Sequence, residues 1–205
     1  SMEMPRTQIM ARIASRVAMI NSRKLYDAKS LTAEERNTVA MLLERISKIP
    51  LILDEQQALT TADVAAKIRK HRPQVIVVDH MQLMAREGNY RQSWENLAET
   101  SRAMKRLAMN ENVILIELVQ QNADIEKRGD KVPKMSDVKG TDCYTNDADN
   151  LMFIQADRSP GTMGEGDSVE VQLFVTKARY APPGVTAFRW QPQYHRYMAI
   201  SDRGE

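Results

Sequence analysis

Apolar residues recur along this chain at two spacings, and the points where one spacing gives way to the other mark its elements. After Pro5, which suits a first helical position, Ile9, Ile13, Val17 and Ile20 follow helical spacing, with Arg12 and Arg16 off that stripe. Thr32 and Glu35 form a capping box that opens a second helix through Met41, Leu42 and Ile46, stopping near Pro50. "LILD" (51–54) then reads as a short buried strand. Thr60 and Asp63 repeat the capping-box spacing before "VAAKIRKHR", Pro73 ends that helix, and "VIVVD" (75–79) reads as a strand. The loop "AREGNYRQ" leads to a long helix with Leu97, Met104 and Leu107 on its apolar side, followed by the strand "NVILIELV".

Strands separated by helical crossovers predict a mostly parallel sheet with flanking helices, and continuous apolar runs such as "VIVV" and "VILI" are what burial on both faces requires. From residue 120 to residue 149 the chain is polar and without sustained periodicity, too long for an ordinary connection and so expected to be functional or mobile. Beyond it "NLMFIQ", "SVEVQLFVTKAR", "GVTAFRW" and "YHRYMAI" read as strands joined by the turn signals "SPGTMGEG" and "APPG". The expected class is α/β, with a C-terminal antiparallel extension of the sheet. No repeat, low-complexity tract or linker divides the 205 residues, and one domain spanning 1–205 is expected.

Composition narrows this little. Hydrophobic residues are 42% and charged residues 27%, in the ordinary globular range, and no apolar run is long enough to span a membrane. A net charge of only +2 means that any nucleic-acid surface must be local. Cys143 is the only cysteine, which excludes an internal disulfide and fits a reducing compartment, the cytoplasm; His71, His80 and His195 are too scattered to suggest a zinc site. "SMEM" opens no secretory signal.

The candidate chemistry lies at strand ends. In an open α/β sheet ligands bind beyond the carboxyl ends of the strands, where Asp79, Gln120 and the long polar loop all emerge. A carboxylate there can hold Mg²⁺ through water beside a nucleotide phosphate, because a hard cation prefers oxygen ligands; it can equally cap the following turn. Glu117 within "VILIEL" is expected at the sheet margin. The methionines and Cys143 are expected to fill core or loop, and Trp94 and Trp190 to pack.

"VIVVDHMQLM" resembles the Walker B strand of the DnaB-type replicative helicases, a RecA-like motor family: a hydrophobic strand, Asp, an aromatic residue, then a Leu-Gln-Leu-Met-like run. "SMEMPRTQIMAR" is similar to the family's Ser-Leu-Glu-Met segment and its helix. "EKRGDKVPKMSD", "NDADNLMFI" and "KARYAPPG" resemble its Arg-Gly-Asp-Lys-x-Pro loop, its Asp-Ala-Asp strand entry and its Lys-x-Arg hairpin, in order and at compatible spacing over nearly the whole chain. The resemblance implies a RecA-like fold and an ATP- and Mg²⁺-using, homohexameric DNA helicase that works on ssDNA, with primase and a helicase loader as further partners. It implies that Glu3 polarises the attacking water, Asp79 organises Mg²⁺ through water and Gln120 senses the γ-phosphate. Lys177 and Arg179 would reach the neighbouring subunit's nucleotide, and Arg128, Lys131 and Lys139 would contact DNA.

The chain departs from the family pattern in places. No G-x-x-x-x-G-K-[ST] occurs, and in the family that phosphate-binding loop precedes the Ser-Leu-Glu-Met segment. The expectation is therefore a fragment of a longer helicase that lacks the P-loop strand, leaves an exposed hydrophobic groove and is inactive alone; the alternative is a non-catalytic RecA-like ssDNA-binding or subunit-assembly module. "KGTD" (139–142) stands where Arg-Glu-Ser-Gly is usual, His80 where tyrosine is common, and Val119 and Ala123 replace polar or basic neighbours of the sensor glutamine.

Overall fold

The computed structural model describes residues 1–84, 93–121, 132–138, 143–156 and 168–200, without the side chains of residues 28, 93–95 and 143. Two compact units emerge: residues 1–4, 54–152 and 175–183 form the first, and residues 5–53, 153–174 and 184–205 the second.

The first unit holds helix α4 (Thr61–His71), strand β1 (Val75–Val78), helix α5 (Ser93–Asn110), strand β2 (Ile114–Glu117) and the short helix α6 (Cys143–Asp147). The capping box before α4 is present: Asp63 N–H donates to Thr60 Oγ1 at 3.1 Å, and Thr60 N–H donates to Asp63 Oδ2 at 2.9 Å. The helix ends at Arg72, whose left-handed φ of 47° precedes Pro73, and its N–H donates to Ile68 O at 2.7 Å. β1 and β2 pair in parallel, Val75 opposite Ile114 through Val78 opposite Glu117, and α5 packs on α4, α6 and β2. The crossover from one parallel strand to the next through a helix is the unit that the alternating pattern predicts.

The burial of that strand pair differs from expectation. Val75, Val77, Ile114 and Ile116 are all exposed, so among the described residues the apolar runs are covered on one face and leave apolar side chains open on the other. The buried side of α5 is also more polar than its pattern suggests: Asn96, Ala98, Thr100, Ser101 and Met104 are buried, with Leu97 and Leu107 half-buried. Thr100 satisfies its hydroxyl on Asn96 O at 2.8 Å and Ser101 on Asp147 Oδ2 at 2.9 Å. Met104 is completely buried. Met104→Ala is expected to destabilise the fold by about 2–5 kcal/mol, measured as a lower midpoint in urea unfolding.

The second unit holds helices α1 (Arg6–Ala18), α2 (Ser22–Tyr26) and α3 (Ala33–Ser47). The Thr32–Glu35 capping box opens α3 as expected. Ala14 and Ser15 are the buried residues of α1, whereas Val17, on its predicted stripe, is exposed. "LILD" does not form a strand. Pro50 precedes it, Leu51 N–H turns back to Ile49 O at 2.8 Å, and both Leu51 and Ile52 are exposed; among the described residues no strand pairs with it, and an unpaired run has no ladder to join.

The C-terminal strands β3 (Asn150–Ala156), β4 (Val169–Ala178), β5 (Gly184–Gln191) and β6 (Arg196–Ala199) make a four-stranded sheet in that order, separate from β1 and β2. β5 and β6 are antiparallel, and the cross-strand pair Trp190 and Tyr197 stacks at 5.9 Å, a packing role for Trp190 as expected. No helix among the described residues is long and apolar enough to cross a membrane.

Candidate functional site

The carboxyl ends of β1 and β2 lie side by side, and the ladder continues past them: Leu118 N–H donates to Val78 O at 3.0 Å and Met81 N–H to Leu118 O at 3.1 Å. Asp79 and Gln120 leave this edge together, as strand order requires. The 1–4 segment docks on the same edge. Met2 is buried and its N–H donates to Asp79 O at 2.7 Å, while Ser1 Oγ donates to Asp79 Oδ2 at 2.9 Å and accepts from Met4 N–H at 3.2 Å. Glu3 is thereby held beside the strand ends, its carboxylate 3.5 Å from His80 Nε2. Gln120 Nε2 lies 3.4 Å from the same ring nitrogen. Glu3, Asp79 and Gln120, distant in sequence, thus converge, with His80 between Glu3 and Gln120.

The Asp79 carboxylate and Ser1 hydroxyl offer oxygen donors only, the chemistry suited to a magnesium ion that keeps most of its waters. Among the described residues no group of three metal-ligating side chains comes together, so a cation here would rely on Asp79, water and phosphate.

Lys177 and Arg179 do not project freely. Lys177, on β4, donates through Nζ to the carbonyls of Thr145 at 2.6 Å and Asn146 at 3.1 Å, near the C-terminus of α6, where a cation is favoured by the exposed carbonyls. Arg179, just past β4, places Nη1 2.9 Å from Asp149 Oδ1, an ion pair whose angle falls short of a hydrogen bond. Asp149 is also bonded by Lys105; that ammonium, helped by Arg179 and Lys177, holds its carboxyl below the ordinary range. Both cations therefore reach the same segment of their own chain, residues 145–149.

Glu117 is the residue expected at the sheet margin. It ends β2, but its side chain turns inward toward Lys105 and Asp147, away from the exposed face of Ile114 and Ile116. Oε1 is buried and finds no hydrogen-bond partner among the described residues. Burial pushes this carboxyl up to about 7, with the negative charge of Asp147 adding and Lys105 opposing. Its lone position inside an apolar strand was the only sequence signal for it; Asp149 stands in the Asp-Ala-Asp strand entry, and Lys105 carried no signal. Arg128, Lys131 and Lys139 lie outside the described residues, as do Ala123, Asp142 and most of the loops that contain them.

A family model for the DnaB-like helicase C terminal domain matches residues 1–199. The chain is similar to the replicative DNA helicase DnaB of Haemophilus influenzae, 30% identical over 211 residues that are 100% of this chain and 45% of that protein. It is 26% identical to the DnaB of Geobacillus stearothermophilus over 99% of this chain and 45% of that protein. The chain therefore spans less than half the length of these relatives. Among solved structures, an isolated ATPase domain superposes with a TM-score of 0.89 at 22% identity, over 98% of this chain and 73% of that one. A DnaB-like replicative helicase, solved with attention to its interactions with primase, gives 0.88 at 21% identity, over 98% of this chain and 50% of that one. With its RecA-like α/β order, its motifs and its matched length agreeing, the chain belongs to the DnaB-like helicase C-terminal domain family.

Proposed function

We propose that this chain is the motor part of an ATP-driven hexameric helicase that translocates 5′ to 3′ on ssDNA during replication. The convergence of Glu3, Asp79 and Gln120 at one strand edge carries this reading, because phosphoryl transfer needs positioned charge more than covalent chemistry. In it Glu3, exposed beside His80, polarises the attacking water. Asp79, oriented by Ser1 Oγ, holds the waters of a magnesium ion. That ion, when bound, neutralises charge on the phosphates. Gln120 senses the γ-phosphate, and Lys177 with Arg179 act on a neighbouring subunit's nucleotide, so that turnover depends on ring assembly. Arg128, Lys131 and Lys139 contact ssDNA phosphates without reading sequence. Such work belongs in the cytoplasm. A primase contact rests on likeness to the structural neighbour alone, and a loader on the resemblance alone.

The missing G-x-x-x-x-G-K-[ST] sharpens the test. The 205-residue chain by itself is expected to hydrolyse no ATP, whereas a longer chain with a P-loop segment ahead of Ser1 shows ssDNA-stimulated phosphate release and unwinding. Helicase-like turnover by the short chain, or silence of the long one, overturns the reading. The missing loop also favours a second reading, a non-catalytic RecA-like module, for which silence of the long chain together with ssDNA binding or self-association by the short one is the signature.

A further inference from the structure

His80 is a buried imidazole at the carboxyl end of β1 with a polar neighbour at each ring nitrogen. Nδ1 faces Gln82 Oε1 at 3.1 Å. Nε2 faces Gln120 Nε2 at 3.4 Å and Glu3 Oε2 at 3.5 Å. A neutral imidazole carries one N–H and one bare nitrogen. Gln82 offers Nδ1 a carbonyl oxygen, which can only accept, so the proton belongs on Nδ1. Gln120 offers Nε2 an amide NH₂, which can only donate, while Glu3 Oε2, an acceptor at 3.5 Å, makes no hydrogen bond to it, so the partner that bonds Nε2 calls for a bare nitrogen. The two amides lie on different segments and demand the same tautomer.

We infer that His80 is a positioning residue: one imidazole tautomer, set by Gln82, holds the Gln120 amide with its NH₂ group at the ring nitrogen that Glu3 also faces. This rests on the proposed function, in which Gln120 meets a phosphate and Glu3 a water. An anionic phosphate needs an N–H donor, and a flipped amide presents a carbonyl oxygen instead. Flipping would also set that oxygen against the bare Nε2, acceptor against acceptor. Gln120 is exposed, and its side-chain hydrogen bond among the described residues is the one to His80, so without the imidazole solvent would set its orientation. The Asp79 carboxylate is engaged by Ser1 Oγ, which donates to its Oδ2. His80 occupies a position where tyrosine is common in the resembled family, and a phenol cannot bridge two amides through two ring nitrogens.

Two measurements separate this role from packing. In the 205-residue chain, nitrogen-15 NMR of the imidazoles at neutral pH, assigned with His71→Gln and His195→Gln, should find His80 protonated on Nδ1. Gln82→Leu should shift it toward the other tautomer. In the ATP-hydrolysing assembly, His80→Phe keeps a ring of similar shape without nitrogens and should lower kcat about tenfold, with KM for ATP unchanged within about twofold. His80→Gln, whose amide reaches the place of Nε2, should recover turnover to within about threefold of wild type. A His80 protonated on Nε2, or His80→Phe turning over like wild type, overturns the inference. If the wild-type assembly hydrolyses no ATP, the proposed function fails instead, and the tautomer measurement still decides the His80 contact.

Discussion

Arg179→Ala should lower ATP turnover of the assembled protein by about 10³-fold while leaving ATP affinity within about twofold, because its charge is proposed to act across the subunit interface on the transition state. The structure makes Arg179 the cleaner of the two basic residues to test. The Arg179 and Asp149 side chains are about half exposed, so loss of their ion pair is expected to cost about 1 kcal/mol. Lys177 is different. It is half-buried and satisfies the carbonyls of Thr145 and Asn146, so its removal should also loosen α6 and blur a kinetic defect with a structural one. Thermal unfolding of Arg179→Ala, titration with a fluorescent nucleotide and steady-state phosphate release together check the prediction. Intact turnover in the variant refutes the proposed action of Arg179 on the neighbouring subunit's nucleotide. The contacts to Asp149 and to carbonyls 145 and 146 also mean that, in the arrangement described, both cations are occupied within their own chain.

Glu117→Gln is expected to stabilise the chain by about 2 kcal/mol at pH 8 and by little at pH 4.5. The buried carboxyl is raised from its ordinary 4.5 to about 7. Between those values the folded state keeps a proton that the unfolded state releases, so stability is fully present below about pH 4.5 and is lost as pH rises toward 7. The full separation corresponds to roughly 3 kcal/mol, and a glutamine left in the same buried place recovers part of it. Variant and wild type share every other titrating group, so the decisive quantity is the difference between them in urea midpoints at each pH. A pH-independent difference would show that Glu117 is solvated or paired in solution. The cost of keeping a carboxylate at this position suggests that the apolar pattern of β2 alone would serve stability better.

Much of the local structure was legible in order along the chain. Thr32 with Glu35 and Thr60 with Asp63 start helices because each pair satisfies backbone N–H groups within three residues, a contest settled locally. Pro73 ends α4 and "VIVV" forms a strand for equally local reasons, steric exclusion and β-branched side chains. The α/β class followed from their alternation. Candidate site residues were legible only through ordered motifs, since a lone carboxylate after a strand serves a metal or a turn equally well. The short helices α2 and α6 were missed because five residues are too few for a periodicity to show.

By itself, then, the sequence determined where helices and strands begin, that strands and helices alternate, and that Asp79 and Gln120 leave strand ends, because capping, sterics and apolar spacing act over a few residues. Tertiary structure alone decided the rest. "LILD" is apolar in pattern but forms no strand, since a strand needs a partner that spacing cannot supply. Val75 and Val77 are apolar yet exposed, because burial depends on what covers a face. Glu117 turns toward Lys105 and Asp147, Lys177 closes on carbonyls 32 and 31 residues away, and His80 stands between Glu3 and Gln120, all through contacts between distant segments. A side chain's charge state and partner are properties of the neighbours that folding brings to it, and no local pattern encodes them.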